Sequence, residues 1–110
     1  MAYDEKLAER IRAALKKRPN ISEKRMFGGI AFLHRGRMFC GIVDDALMAR
    51  VGPDAYPAAL RQRHVRPMDF TGRPLKGYVF VQSPGCRTQA ATAKWVERCL
   101  EFVRTLPARK

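Results

Sequence analysis

The residues of this chain that could do chemistry are three cysteines, two histidines, two serines and a pair of adjacent aspartates. Cys40, Cys86 and Cys99 are too far apart for a Cys-x-x-Cys pair. An odd count with no secretory signal argues against a disulfide framework. Cys40 and Cys99 stand among apolar residues and are expected in the core. Cys86 follows Pro84-Gly85 in a turn and is the thiol expected at the surface, yet no base lies near it in sequence to activate it. Neither Ser22 nor Ser83 sits in a Gly-x-Ser-x-Gly elbow. His34 and His64 have arginines as neighbours and lack a Cys or carboxylate at metal-ligand spacing. Asp44-Asp45 could suggest paired acid/base carboxylates, but neighbours in a hairpin turn point apart. Gly28-Gly29 fits no phosphate-loop pattern. Only a pocket joining His64, Asp69 and Cys86 would restore catalytic chemistry. The expectation is a protein that is not an enzyme, with no catalytic, cofactor or metal-binding residues.

Binding chemistry is better represented. The formal net charge is +12 on 110 residues, a field that attracts nucleic acid or an acidic protein. Arg61, Arg63, Arg66, Arg73 and Lys76 stand against the single acid Asp69 between positions 61 and 76. Met68, Phe70 and Tyr78 interleave apolar and aromatic surface with them. Guanidiniums and rings suit phosphate contact and base stacking. The same residues suit docking to an acidic protein surface. No recognised nucleic-acid motif is present, so the protein partner is preferred and nucleic acid is the alternative. Asp69 and Arg73 are spaced to pair and shape the loop. The basic cluster Lys16-Lys17-Arg18 already has a structural reason, as it suits the negative end of a helix.

Several elements must hold these groups. At 46% hydrophobic and 29% charged, the composition is globular and the length fits one domain, residues 1–110. No segment approaches the ~20 apolar residues of a membrane span, and the acidic start lacks an apolar leader. The cytosol is the expected compartment, with no membrane partner. Leu7, Ile11, Ala14 and Leu15 predict a helix over Asp4–Lys17, stopped by Pro19-Asn20. A three-stranded antiparallel meander follows: Met26–Leu33, Met38–Val43 and Leu47–Val51, turning at 34–37 and at Asp44-Asp45. The first strand is apolar on both faces, which predicts a central strand or one that meets a partner. Gly28-Gly29 within it predicts a bulge or a close backbone approach. A short helix begins after Gly52-Pro53. One or two further strands come next, Tyr78–Val81 among them. A turn at Ser83-Pro84-Gly85 leads to a C-terminal helix over Thr88–Leu106, ended by Pro107. Its apolar face is Trp95, Val96, Cys99, Phe102, Val103 and Leu106, and Trp95 is expected to anchor the core. The expected class is α+β, with the last helix packed on the sheet.

Three glycine-marked segments recur in a recognisable order. Met26-Phe27-Gly28-Gly29-Ile30-Ala31-Phe32 comes first and Arg50-Val51-Gly52-Pro53 second. The third is Pro67-Met68-Asp69-Phe70 followed by Gly72-Arg73-Pro74-Leu75-Lys76-Gly77-Tyr78. Together they resemble the N-terminal domain of the TfoX/Sxy family of bacterial competence regulators, from about Tyr3 to Leu106. The resemblance implies a compact α+β fold whose sheet can support a homodimer. It also implies transcriptional control of DNA uptake through other regulators, without an enzymatic step. Longer members of the family carry a second, helical C-terminal domain.

Overall fold

The computed structural model describes residues 3–26, 29–68 and 76–106. Helix α1 (Glu5–Ala14) leads into four consecutive strands, β1 (Ile21–Met26), β2 (Gly29–His34), β3 (Arg37–Val43) and β4 (Ala46–Arg50). A one-turn helix α2 (Tyr56–Leu60), strands β5 (Val65–Pro67) and β6 (Tyr78–Val81), a 3-10 turn at Ser83–Cys86 and helix α3 (Gln89–Arg104) complete the described chain. Every pairing between these strands is antiparallel and the sheet order is β1-β2-β3-β4-β6-β5. The α+β class and the closing helix are as the sequence predicts.

The sheet has six strands, one more than the meander and the trailing strands account for. The addition is β1. Its residues Ser22 to Arg25 are exposed, so it carries neither the alternation nor the apolar run that marks a strand in sequence. It forms because β2 offers it a full ladder, Ile21 opposite His34 through Met26 opposite Gly29. The expected single strand Met26–Leu33 is therefore split between two strands. Met26 ends β1 and Gly29 begins β2, while Phe27 and Gly28 lie outside the described residues. The close approach expected at the glycine pair holds for Gly29, where a Cβ would land on the Ile42 carbonyl oxygen.

The helices share one face of the sheet. α3 crosses β2, β3 and β4, α1 packs along α3, and α2 covers β5 and β6. Leu7 and Ile11 of α1, Val96, Cys99 and Leu100 of α3, and Phe32, Ile42 and Leu47 of the sheet form the main core, each 2% exposed or less. Trp95 joins it at 7%. Burying a side chain of this kind stabilises by roughly 1.5–3 kcal/mol. A smaller cluster of Ala46, Met48, Met68 and Phe80 lies apart from it. Strand alternation puts Ala46, Met48 and Phe80 on the opposite face.

Local polar chemistry fixes the ends. Asp4 caps α1 by accepting from the N–H groups of Lys6 (2.9 Å) and Leu7 (3.2 Å), and Thr88 caps α3 by accepting from Ala91 (3.1 Å). The carbonyl of Cys86 gathers three elements. It accepts from Arg10 Nη2 of α1 at 2.9 Å and from the Thr92 hydroxyl of α3 at 2.9 Å.

Candidate functional site

The thiols come first, because they are the strongest nucleophiles in the chain. All three are buried. Burial pushes Cys40 well above its ordinary range and Cys99 up to about 12. The expected exposure of Cys86 is overturned, since the residue is 0% exposed. The 3-10 turn rolls it inward, and its thiol faces the carbonyls of Val81 (3.8 Å) and Gln82 (3.7 Å). Burial raises its pKa also, so no thiolate is offered to a substrate. His64 lies next to this turn and its carbonyl accepts from the Gln82 N–H at 2.7 Å, but His64 itself is exposed. Asp69, the third member of that expected pocket, lies outside the described residues. Asp44 and Asp45 are exposed turn residues. Among the described residues no group of three His, Cys, Asp or Glu is placed to hold a metal ion.

The basic stretch divides by exposure. Arg61, Arg63, Arg66 and Lys76 are exposed. Met68 is not available as a contact residue: it is 4% exposed and packs with Phe80 and Met48. Phe80 in turn is covered by Arg66, whose guanidinium carbon stands 4.6 Å from the ring centre. Arg66 and Phe80 face each other across the β5–β6 ladder. The ring of Tyr78 is likewise occupied, by Arg50 at 5.5 Å. Asp69, Phe70 and Arg73, and with them the expected Asp69–Arg73 pair, lie outside the described residues. What remains is an exposed set of cations beside the edge strand β5, with the described rings of this stretch turned to other work.

A second basic site was not anticipated from the sequence. The loop after α1, the β2–β3 turn and the end of α3 enclose a pocket of about 530 Å³. Arg18, Arg35, Arg37 and Arg104 line it, and Leu100, Val103 and Leu106 form its apolar wall. Arg18 Nη2 also binds both carboxylate oxygens of Glu97. His34 sits among them, half-buried. Burial, then the positive charges of Arg35 and Arg104, hold its pKa below the ordinary 6.5. Two backbone positions here are left-handed, Asn20 at φ 64° and Arg35 at φ 52°, and the Arg35 N–H donates to the Asn20 carbonyl at 3.0 Å. The arginines come from three separate stretches of chain, so no local motif announces them. The one local signal was an arginine in a two-residue hairpin turn, where Asn or Gly is preferred.

A family model described as TfoX N-terminal domain matches residues 13–103, most of the chain. No curated protein and no solved structure matches it.

Proposed function

The chain belongs to the TfoX N-terminal domain family, and on that premise we propose that it is a non-enzymatic regulatory or adaptor module. It works by docking an acidic protein surface beside strand β5. The role that fits the family resemblance is transcriptional control of DNA uptake, exerted through another regulator. The observation that carries the reading is the exposure of Arg61, Arg63, Arg66 and Lys76 together with the engagement of Phe80 and Tyr78. Exposed cations whose described neighbouring rings are already engaged suit carboxylates on a protein better than unstacked bases, which need a ring to lie on.

Two measurements test it together. Fluorescence anisotropy with labelled duplex DNA should show no binding above ~0.1 M salt, because screening removes a contact made only by diffuse charge. Cross-linking in cells should capture an acidic protein that the Arg61→Glu, Arg63→Glu, Arg66→Glu triple variant loses. DNA binding at physiological salt with a log–log slope near −4 to −5, weakened by Arg63→Ala and Arg66→Ala, would replace this reading with direct nucleic-acid binding.

A further inference from the structure

We propose that the free edge of β1 takes up an extended acidic segment of a partner protein as a further strand of the sheet. The proposal goes beyond the docking reading. It concerns the sheet edge opposite β5, and it uses backbone as well as charge.

Backbone phase comes first. The Arg35 N–H donates to the Asn20 carbonyl at 3.0 Å, and the register runs on from that pair to Met26 opposite Gly29. Residues of an antiparallel ladder alternate between those that bond to the neighbour and those that point away from it. Ser22 and Lys24 therefore bond to β2, while Ile21, Glu23 and Arg25 turn their N–H and C=O groups outward. Among the described residues β1 pairs with β2 alone, and no hydrogen bond occupies these outward groups. The β5 edge differs. The Gln82 N–H donates to the His64 carbonyl, so Val65 and Pro67 are the outward residues there. Proline has no N–H, which leaves β5 one outward donor against three on β1. A segment that joins a sheet through main-chain hydrogen bonds is thus received at β1.

Charge says which segment. Ser22 to Arg25 are exposed. The one acid among them, Glu23, already binds Arg12 through both carboxylate oxygens. Lys24 and Arg25 make no ion pair with a described residue, so they set the sign of the edge. Charged residues on an edge strand ordinarily guard against edge-to-edge pairing. Here the guard is selective, because it repels a basic strand and attracts an acidic one. A second copy of this chain is repelled. Two antiparallel registers join β1 to its copy over five residues, and they centre on Glu23 or Lys24. Each sets that residue against itself, on chains that both carry +12.

The two faces of β1 then specify a pattern. Glu23 reaches Arg12 of α1, so it lies on the helix side of the strand. Arg25 shares that side and Lys24 takes the other. An added strand that meets both cations carries two successive acids. Ile21 is half-buried and packs against the main core. It is covered by an apolar residue three positions beyond the acids.

The test is a titration of the ¹⁵N-labelled full chain with the capped peptide Thr-Glu-Glu-Thr-Thr-Ile-Thr, which carries that pattern in the antiparallel sense. Amide shifts and hydrogen exchange are read together. Saturating peptide should slow exchange at Ile21, Glu23 and Arg25 by at least about tenfold. Ser22 and Lys24, already bonded to β2, should change little. Diffuse attraction between charges gives no such alternation. The same peptide with lysine in place of glutamate should not bind. Lys24→Glu combined with Arg25→Glu should weaken the acidic peptide about tenfold, as two favourable cross-strand pairs become unfavourable. Glu23→Pro should abolish the addition, since it removes an outward N–H that β2 does not use. If that proline disturbs β1 itself, the charge-reversed variant decides, because it alters only exposed side chains. Four results would overturn the proposal. They are no binding or no alternating protection, shifts gathered at Arg61 to Arg66 instead, equal binding of the lysine peptide, and unchanged affinity in the charge-reversed variant. Protection of the same three amides that rises with protein concentration, without peptide, would give the edge to a second copy and overturn it as well.

Discussion

The carbonyl oxygen of Gly77 accepts a hydrogen bond from the N–H of Gly52, at 3.1 Å, and a second from Val51 at 2.8 Å. This contact joins the end of β4 to the start of β6. It thereby brings together two of the three glycine-marked segments. Both glycines are left-handed, at φ 88° and 93°. At Gly52 a side chain would also run into the ring of Phe102.

Gly52→Ala should therefore lower stability by about 2 kcal/mol, the range for a strained left-handed residue. Urea denaturation measures it. Adding Phe102→Leu to Gly52→Ala should recover part of the loss, because the ring clash is relieved while the backbone strain stays. An alanine variant as stable as the wild type would show that the turn is not fixed by this contact.

The three thiols should be silent in the native protein. A chromogenic disulfide reagent at pH 8 should label none of Cys40, Cys86 and Cys99 before unfolding, and all three in denaturant. Their burial and raised pKa values predict this. Rapid native labelling of Cys86 alone would mean that the 3-10 turn opens readily.

Glu23 gives a pH-dependent contribution. Its carboxylate accepts from Arg12 Nε at 2.9 Å and Nη2 at 2.8 Å, and that pairing holds its pKa below the ordinary 4.5. A depressed carboxyl pKa stabilises the fold above the unfolded value, and the benefit is lost as pH falls through the folded value. The pair is 42% and 37% exposed, so it contributes only about 0.2–1 kcal/mol. Glu23→Gln should be less stable than wild type at pH 7 by that amount. The gap should shrink below pH 4.5, as followed by urea midpoints.

Arg35→Asn should leave stability unchanged or slightly raised, since Asn tolerates the left-handed conformation better. It should also move the His34 midpoint upward toward 6.5, by removing the stronger of the two charges that depress it. Burial, the larger cause, would keep the midpoint below that value. A histidine with a depressed folded pKa contributes stability above pH 6.5 that fades as the pH drops. Imidazole proton shifts report the midpoint directly.

The chain's pattern revealed those elements whose burial repeats. The apolar stripes of α1 and α3 and the run Tyr78–Val81 are legible because one face of each must leave water. β1 was hidden because, among the described residues, it is an edge strand pairing with β2 alone, and such a strand keeps polar and charged residues at Ser22 to Arg25. The inward roll of Cys86 depends on Arg10 and Thr92, which come from distant parts of the chain. Of the expected contact residues, the exposed arginines were legible as charge. Met68 was not, because burial on the second face depends on Phe80 and Met48 across the sheet. The arginine-lined pocket was hidden for the same reason, since Arg18 and Arg104 are neighbours only after folding.

The hydrogen bonds from Arg10 and Thr92 to the Cys86 carbonyl tie α1 to segments made much later in the chain. Strands β1 to β4 pair with their neighbours in sequence and can zip as the chain emerges. Helix α1 is made before the sheet, yet its main packing partner, α3, is made after it. Until α3 leaves the ribosome, Leu7 and Ile11 have no helix to cover them, and an apolar stripe faces the nascent chain's surroundings. Docking of α1 therefore waits on a segment made after the sheet strands.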